Sequence, residues 1–219
     1  MKYVKRNQSG FTLVEIAIVL VIIGLLLGGV LKGQEMIENA KIKNAVNDLN
    51  GVSAAYNSYI DRFRKLPGDD GPLLTLTGRG GSWTTVTAGG NNSGAIDILQ
   101  ADVFAATGES VAFWQALKAS GFISGNPADT GTDALPRNAF NGLLGAGRGV
   151  GTAATSVFSV CLGQVPGKSA RALDLQLDDG VSNRGSFSAA LGVANTNSTP
   201  GVAVATYSDN NQYTACRTL

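Results

Sequence analysis

The chain has 219 residues, 15% of them charged, with a formal net charge of +1 and no histidine. Near-neutral charge excludes a strongly basic nucleic-acid surface, and the lack of histidine excludes Ser-His-Asp and Cys-His catalysis, a histidine general base and any histidine-containing metal site. With Cys161 and Cys216 as the two cysteines, a four-cysteine zinc site is excluded as well.

Lys2, Lys5 and Arg6 precede an apolar run. Residues 16–31 carry no polar side chain, and from Phe11 to residue 31 the run is interrupted only by Thr12 and Glu15. A spanning helix needs roughly 20 mostly apolar residues, so this stretch is a membrane segment. The positive-inside rule keeps the basic start cytoplasmic and sends the chain beyond the apolar run to the far side. An ordinary secretory signal has a shorter apolar core and an Ala-x-Ala-like cleavage site, and the run here continues without such a break. The awkward residue is Glu15, because a carboxylate is costly to place in an apolar segment.

Behind the run, Ile42, Val46, Leu49, Val52, Tyr56, Tyr59, Phe63 and Leu66 recur at spacings of three and four, which places them on one stripe of a helix. Pro67 and Gly68 end it. The expected helix, 11–66, would be about 84 Å long at 1.5 Å per residue. Its first half suits lipid or like helices, and its second half suits a globular domain. Gly24, Gly28, Gly29 and Gly33 thin the first half and permit close helix contacts.

After Pro67 the sequence is rich in Gly, Thr, Asn and Ser, and two short strands are expected at 73–77 and 83–87. Val111, Phe113, Trp114 and Leu117 form the apolar face of a helix with Glu109 and Ser110 in its first turn and Gly121 at its end. Phe113 and Trp114 read as core. The stretch NGLLGAGRGVGT lacks the GxGxxG spacing, with Val150 at the third-glycine position, and PGKSA has Leu162 where a Walker loop needs its first glycine. Both read as turns. Further strands are expected at 156–162, 186–191 and 202–207, with a helix at 168–177 turning Ala172, Leu173 and Leu177 inward. The expected fold is α+β, a long N-terminal helix on an antiparallel sheet. In an exported chain Cys161 and Cys216 most simply form one disulfide. It would close a 56-residue loop, contributing about 4 kcal/mol in the chain-entropy model.

The order of basic leader, Gly10, Phe11, Thr12, Leu13, Val14 and Glu15, then an apolar helix, resembles the type IV pilin and type II secretion pseudopilin family. The resemblance implies three parts: a leader at 1–10, a long helix at 11–66 with 11–31 in the membrane or filament core, and a periplasmic or extracellular globular domain at 67–219. It implies cleavage between Gly10 and Phe11 by prepilin peptidase and N-methylation of Phe11. Removing the leader leaves 14 basic against 16 acidic side chains. It also implies that Glu15 pairs with the N-terminal amine of a neighbouring subunit, setting register in a homo-oligomeric helical filament. The implied partners are the inner membrane and the pilus or type II secretion assembly machinery, and no small-molecule substrate is evident. Lys32, beside Gly33, stands where many major pilins have a helix-breaking proline.

The segment CLGQVPGKSARALDLQLDDGVSNRG resembles a recurring pilin-like segment in which an LDDG turn follows a short helix. Asp174, Asp178 and Asp179 are weak candidate ligands for calcium, which some pseudopilins bind in this region. The spacing is not that of an EF-hand, and Asp-Gly is a common turn signal. No other cofactor is expected. The leading functional expectation is a structural filament subunit rather than an enzyme. The alternatives are a minor pilin or pseudopilin, or an adhesive module displayed on a filament.

Overall fold

The computed structural model describes residues 10, 12–151 and 157–219. The chain divides into two compact units, residues 1–40 and 41–219, and helix α1 (Leu13–Phe63) contributes to both. In the first unit the large apolar side chains of residues 16–31 are between 45% and 73% exposed, so the described chain provides no cover for them. The helix is long and apolar enough to cross a membrane. It passes through Lys32 and Gly33 without interruption, and Lys32 Nζ meets Glu35 Oε2 at 2.8 Å.

In the second unit the expected stripe is the core. Ile42, Leu49, Val52 and Tyr59 are buried, with Ala45 and Ala55 filling the spaces between them, while Val46, Tyr56, Phe63 and Leu66 pack at its edge. They face a four-stranded antiparallel sheet of β1 (Leu144–Arg148), β2 (Phe158–Pro166), β3 (Phe187–Gly192) and β4 (Gln212–Thr218), in the order β1-β2-β4-β3. Period-two alternation turns Phe158, Val160 and Leu162 to the same face as their register neighbours Ala215 and Ala189. There Tyr56 stacks on Phe158 with ring centroids 5.7 Å apart. Arg217 donates to Asn50 Oδ1 at 2.6 Å. On the opposite face Cys161 and Cys216 lie directly across from one another in register and form the expected disulfide, clustered with Val103 and Val150.

A polar knot forms where α1 ends. Asp70, 2% exposed, accepts hydrogen bonds from the Tyr59 hydroxyl at 2.6 Å and Arg79 Nη2 at 2.8 Å. The Arg79 guanidinium lies 4.7 Å from the ring centroids of both Phe63 and Trp83, a cation–π arrangement. Burial, together with the neighbouring Asp70 carboxylate, pushes the Tyr59 hydroxyl far above its ordinary range. Asp69 accepts the backbone N–H groups of Ser93 at 2.7 Å and Gly94 at 3.0 Å, tying the 91–97 loop to the end of α1.

The two strands expected at 73–77 and 83–87 are instead helix α2 (Leu73–Thr77) and a 3-10 turn (Gly81–Thr85). Thr77 Oγ1 donates to the carbonyls of Leu73 and Leu74, so a β-branched residue here supports a helical turn. Trp83 is drawn onto Tyr59 and Phe63 of α1 rather than into a strand ladder. Helix α3 (Gly108–Ala119) matches expectation, with Phe113, Trp114 and Leu117 fully buried.

The glycine-rich stretch expected as a turn contains strand β1, whose glycines permit close approach: a Cβ on Gly145 would overlap the Val103 carbonyl. PGKSA is likewise not a turn but the junction of β2 with helix α4 (Gly167–Leu177). Strands were expected at 156–162 and 186–191; β2 and β3 fall there, residue 156 lying outside the described residues. The strand expected at 202–207 is reduced to a single bridge, Ala190 to Ala203, and the unexpected strand β4 takes an inner place between β2 and β3.

Helix α4 buries Leu173 and Asp174. Asp174 Oδ2 accepts the Tyr207 hydroxyl at 2.7 Å and Oδ1 accepts the Gly180 N–H at 3.2 Å. Burial raises the Asp174 carboxyl above the usual range; these bonds oppose the rise, and Asp178 and Asp179 add to it.

Two outcomes test this packing. Asp70→Ala leaves Arg79 and Tyr59 without their shared acceptor and is expected to lower unfolding free energy by about 3 kcal/mol in a denaturant titration. Asp61→Ala, on an exposed pair with Arg64, should leave it unchanged. The second concerns pH. Because the folded-state pKa of Asp174 is raised, its contribution to stability is present below the unfolded value of about 4 and is lost as pH rises through the folded value. Melting temperature measured across that window should therefore fall less with rising pH in Asp174→Asn than in the native chain, and an identical slope would contradict the assignment.

Candidate functional site

The start of α1 is built by Thr12 and Glu15. Thr12 immediately precedes the helix and Glu15 lies in its first turn. Thr12 Oγ1 accepts the Glu15 backbone N–H at 3.2 Å, while Glu15 Oε2 accepts both the Thr12 backbone N–H and the Thr12 hydroxyl at 2.7 Å. This reciprocal pattern is a capping box: two backbone donors that the helix leaves unused each find a side-chain acceptor. The carboxylate also sits at the positive end of the helix dipole. Its burden in an apolar setting is reduced because its charge is met by two donors from its own chain.

Sequence reasoning singled out Glu15 and passed over Thr12, although the T-x-x-E spacing of 12–15 carried the signal. Among the described residues, no ion pair to Glu15 is present. Gly10 is exposed, and Phe11, the residue expected to be methylated, lies outside the described residues. From Leu13 onward the helix exposes an apolar surface. Chemically, this arrangement can hold a carboxylate ready for a cation beside an adhesive apolar rod. It offers neither a nucleophile–base pair nor an oxyanion cradle among the described residues.

The three aspartates at the end of α4 do come together, with one oxygen from each lying within 4.8 Å of the others. Their oxygens already serve the turn. Asp174 holds Gly180 and Tyr207, Asp178 accepts from the backbone of Ser186 and Phe187, and Asp179 accepts the Val181 N–H at 2.8 Å. The set closes the LDDG turn and fastens it to the first residue of β3. Oxygen ligands of this kind could also hold calcium.

Residues 5–31 match the family model described as the prokaryotic N-terminal methylation motif. The match covers Gly10, Phe11, Thr12 and Glu15 together with the apolar half of α1. No curated protein matches the chain. The long apolar helix, the antiparallel sheet behind it and the disulfide fit the layout expected from the N-terminal residues. The chain carries the prokaryotic N-terminal methylation motif, the signature of type IV pilins and pseudopilins.

Proposed function

We propose that this protein is a structural subunit of a type IV pilus-like filament. The observation that carries the reading is the exposed apolar face of residues 16–31, headed by the methylation motif with Glu15 in its first turn. Prepilin peptidase cuts between Gly10 and Phe11, Phe11 is N-methylated, and the precursor waits in the inner membrane with its start cytoplasmic and residues 67–219 on the far side. Assembly machinery then moves the helix from lipid into a bundle of like helices. That exchange keeps its apolar surface out of water throughout.

Glu15 acts twice in this scheme. In the single subunit it caps its own helix through Thr12. In the filament it meets the Phe11 amine of a neighbour. In a low-dielectric layer that pairing is far stronger than in water, and a misplaced register leaves two charges unpaired. Helix packing supplies cohesion and the charge pair supplies register. Catalysis has no part in the scheme.

A second reading, a minor pilin or type II secretion pseudopilin, shares every step up to assembly. The helix favours it by running unbroken through Lys32, with the Lys32–Glu35 pair spanning the position where many major pilins have a proline.

Two substitutions separate the cap from the charge. Glutamine also serves in a capping box, so Glu15→Gln keeps the helix start while removing the charge. It is expected to leave leader cleavage intact and to reduce sheared surface filaments about tenfold, the equivalent of roughly 1.4 kcal/mol. Thr12→Val removes the hydroxyl and keeps the charge, and should assemble at close to the native level. Filaments at native yield from Glu15→Gln would rule out the register pair.

A further inference from the structure

The Thr12–Glu15 capping box fixes where α1 begins. With the Glu15 N–H on Thr12 Oγ1 at 3.2 Å and the Thr12 N–H on Glu15 Oε2 at 2.7 Å, the first helical residue is Leu13. The Ile16 N–H reaches back to the Thr12 carbonyl at 3.3 Å, which makes Thr12 the residue that closes the first turn. Gly10 stands before the helix, exposed, with open space where a Cβ would be. The Gly10–Phe11 bond, where the leader is cut, thus lies outside the helix by the width of one capping residue. Upstream, the next residue of capping type is Ser9. A helix started from Ser9 would place Gly10 and Phe11 in its first turn and bond the Gly10 carbonyl to the Val14 N–H. Glycine opposes that extension, and the Thr12 cap opposes it further.

A peptidase cuts a bond in the fraction of chains in which that bond is locally open. A carbonyl engaged in a helical turn is withdrawn from attack until the turn unwinds. We propose that Thr12 is a positioning residue for leader removal: by capping α1 at Leu13 it holds the Gly10–Phe11 bond outside the helix, open to the peptidase. Thr12 does this through the fold of its own chain and needs no contact with the enzyme. Glu15 shares the task as an acceptor rather than as a charge, so Glu15→Gln, which keeps an acceptor in the box, agrees with the intact cleavage expected above. The inference rests on the processing reading and adds to it a determinant of cleavage on the mature side of the cut.

The test follows the initial rate of cleavage of the full-length chain in membranes containing prepilin peptidase. Thr12→Val keeps the shape of the side chain and lacks the acceptor, whereas Thr12→Ser and Thr12→Asn keep an acceptor that suits a helix cap. Thr12→Val should be cut about fivefold more slowly than the native chain, the equivalent of roughly 1 kcal/mol, and Thr12→Ser and Thr12→Asn at close to the native rate. Slower cutting of Thr12→Val still runs to completion, which agrees with the filament yield expected above. In chains isolated in micelles before cleavage, the Cα chemical shifts of residues 10–12 should be helical in Thr12→Val and non-helical in the native and Thr12→Ser chains. The reverse order of rates, Thr12→Val native-like and Thr12→Asn slow, would mean that the peptidase reads the side chain itself, and would overturn the role of the cap. Equal rates in every variant, or non-helical shifts in Thr12→Val, would overturn it as well while the processing reading stands. A native chain that is never cut between Gly10 and Phe11 rejects the processing reading and this inference with it.

Discussion

The packing of the Ile42–Tyr59 stripe of α1 on the sheet face holding Phe158, Val160 and Leu162 is the contact on which the globular unit depends. Helix α3 adds Phe113 and Leu117 to that core, and the aromatic rings of Tyr56, Phe113 and Phe158 meet within it. The polar knot of Tyr59, Asp70 and Arg79 then fixes how the chain leaves α1, which sets the path of the 71–97 segment. None of this uses residues 16–31. One helix thus satisfies two solvents: its later turns find their apolar partners within the chain, and its earlier turns must find theirs in lipid or in other copies.

That division gives Glu15 its physical meaning. A carboxylate at the head of an apolar helix is costly only if unmet, and the Thr12 capping box meets it locally with two donors. The same carboxylate stays at the helix end, on an exposed first turn, where an amine from outside can approach. Helix capping is in place in the single subunit, and the register pairing we propose for the polymer would fall to the same side chain. On the proposed reading, the cap keeps the charge tolerable until a partner subunit supplies its amine.

Much of this was legible in the sequence because its signals were strong and periodic. The stripe at spacings of three and four became the core face of α1. The Val111–Leu117 face became α3, and the two cysteines came together across β2 and β4. The N-terminal motif was legible from residue identity and order alone. The failures have physical causes. Thr77 was read by its β propensity, whereas its hydroxyl bonds back into a helical turn. Strand β1 is glycine-rich because Val103 presses against it, a tertiary fact with no local trace. Strand β4 lies between β2 and β3 with Tyr213, Thr214, Ala215 and Cys216 all buried, so the alternation that marks a half-exposed strand is missing. At the site, the acid was visible and its cap was overlooked, since an isolated threonine in an apolar run reads as an interruption until its partner three residues on is considered.

The central claim is that α1 is freed at Phe11 and built into a polymer of this chain. Mass spectrometry of the N-terminal peptide from sheared surface filaments tests it most directly. The account predicts a peptide beginning at Phe11 and carrying one added N-methyl group, with Thr12 and Glu15 intact behind it. A peptide from those filaments that still begins at Met1, or one that begins beyond the apolar run, would contradict it.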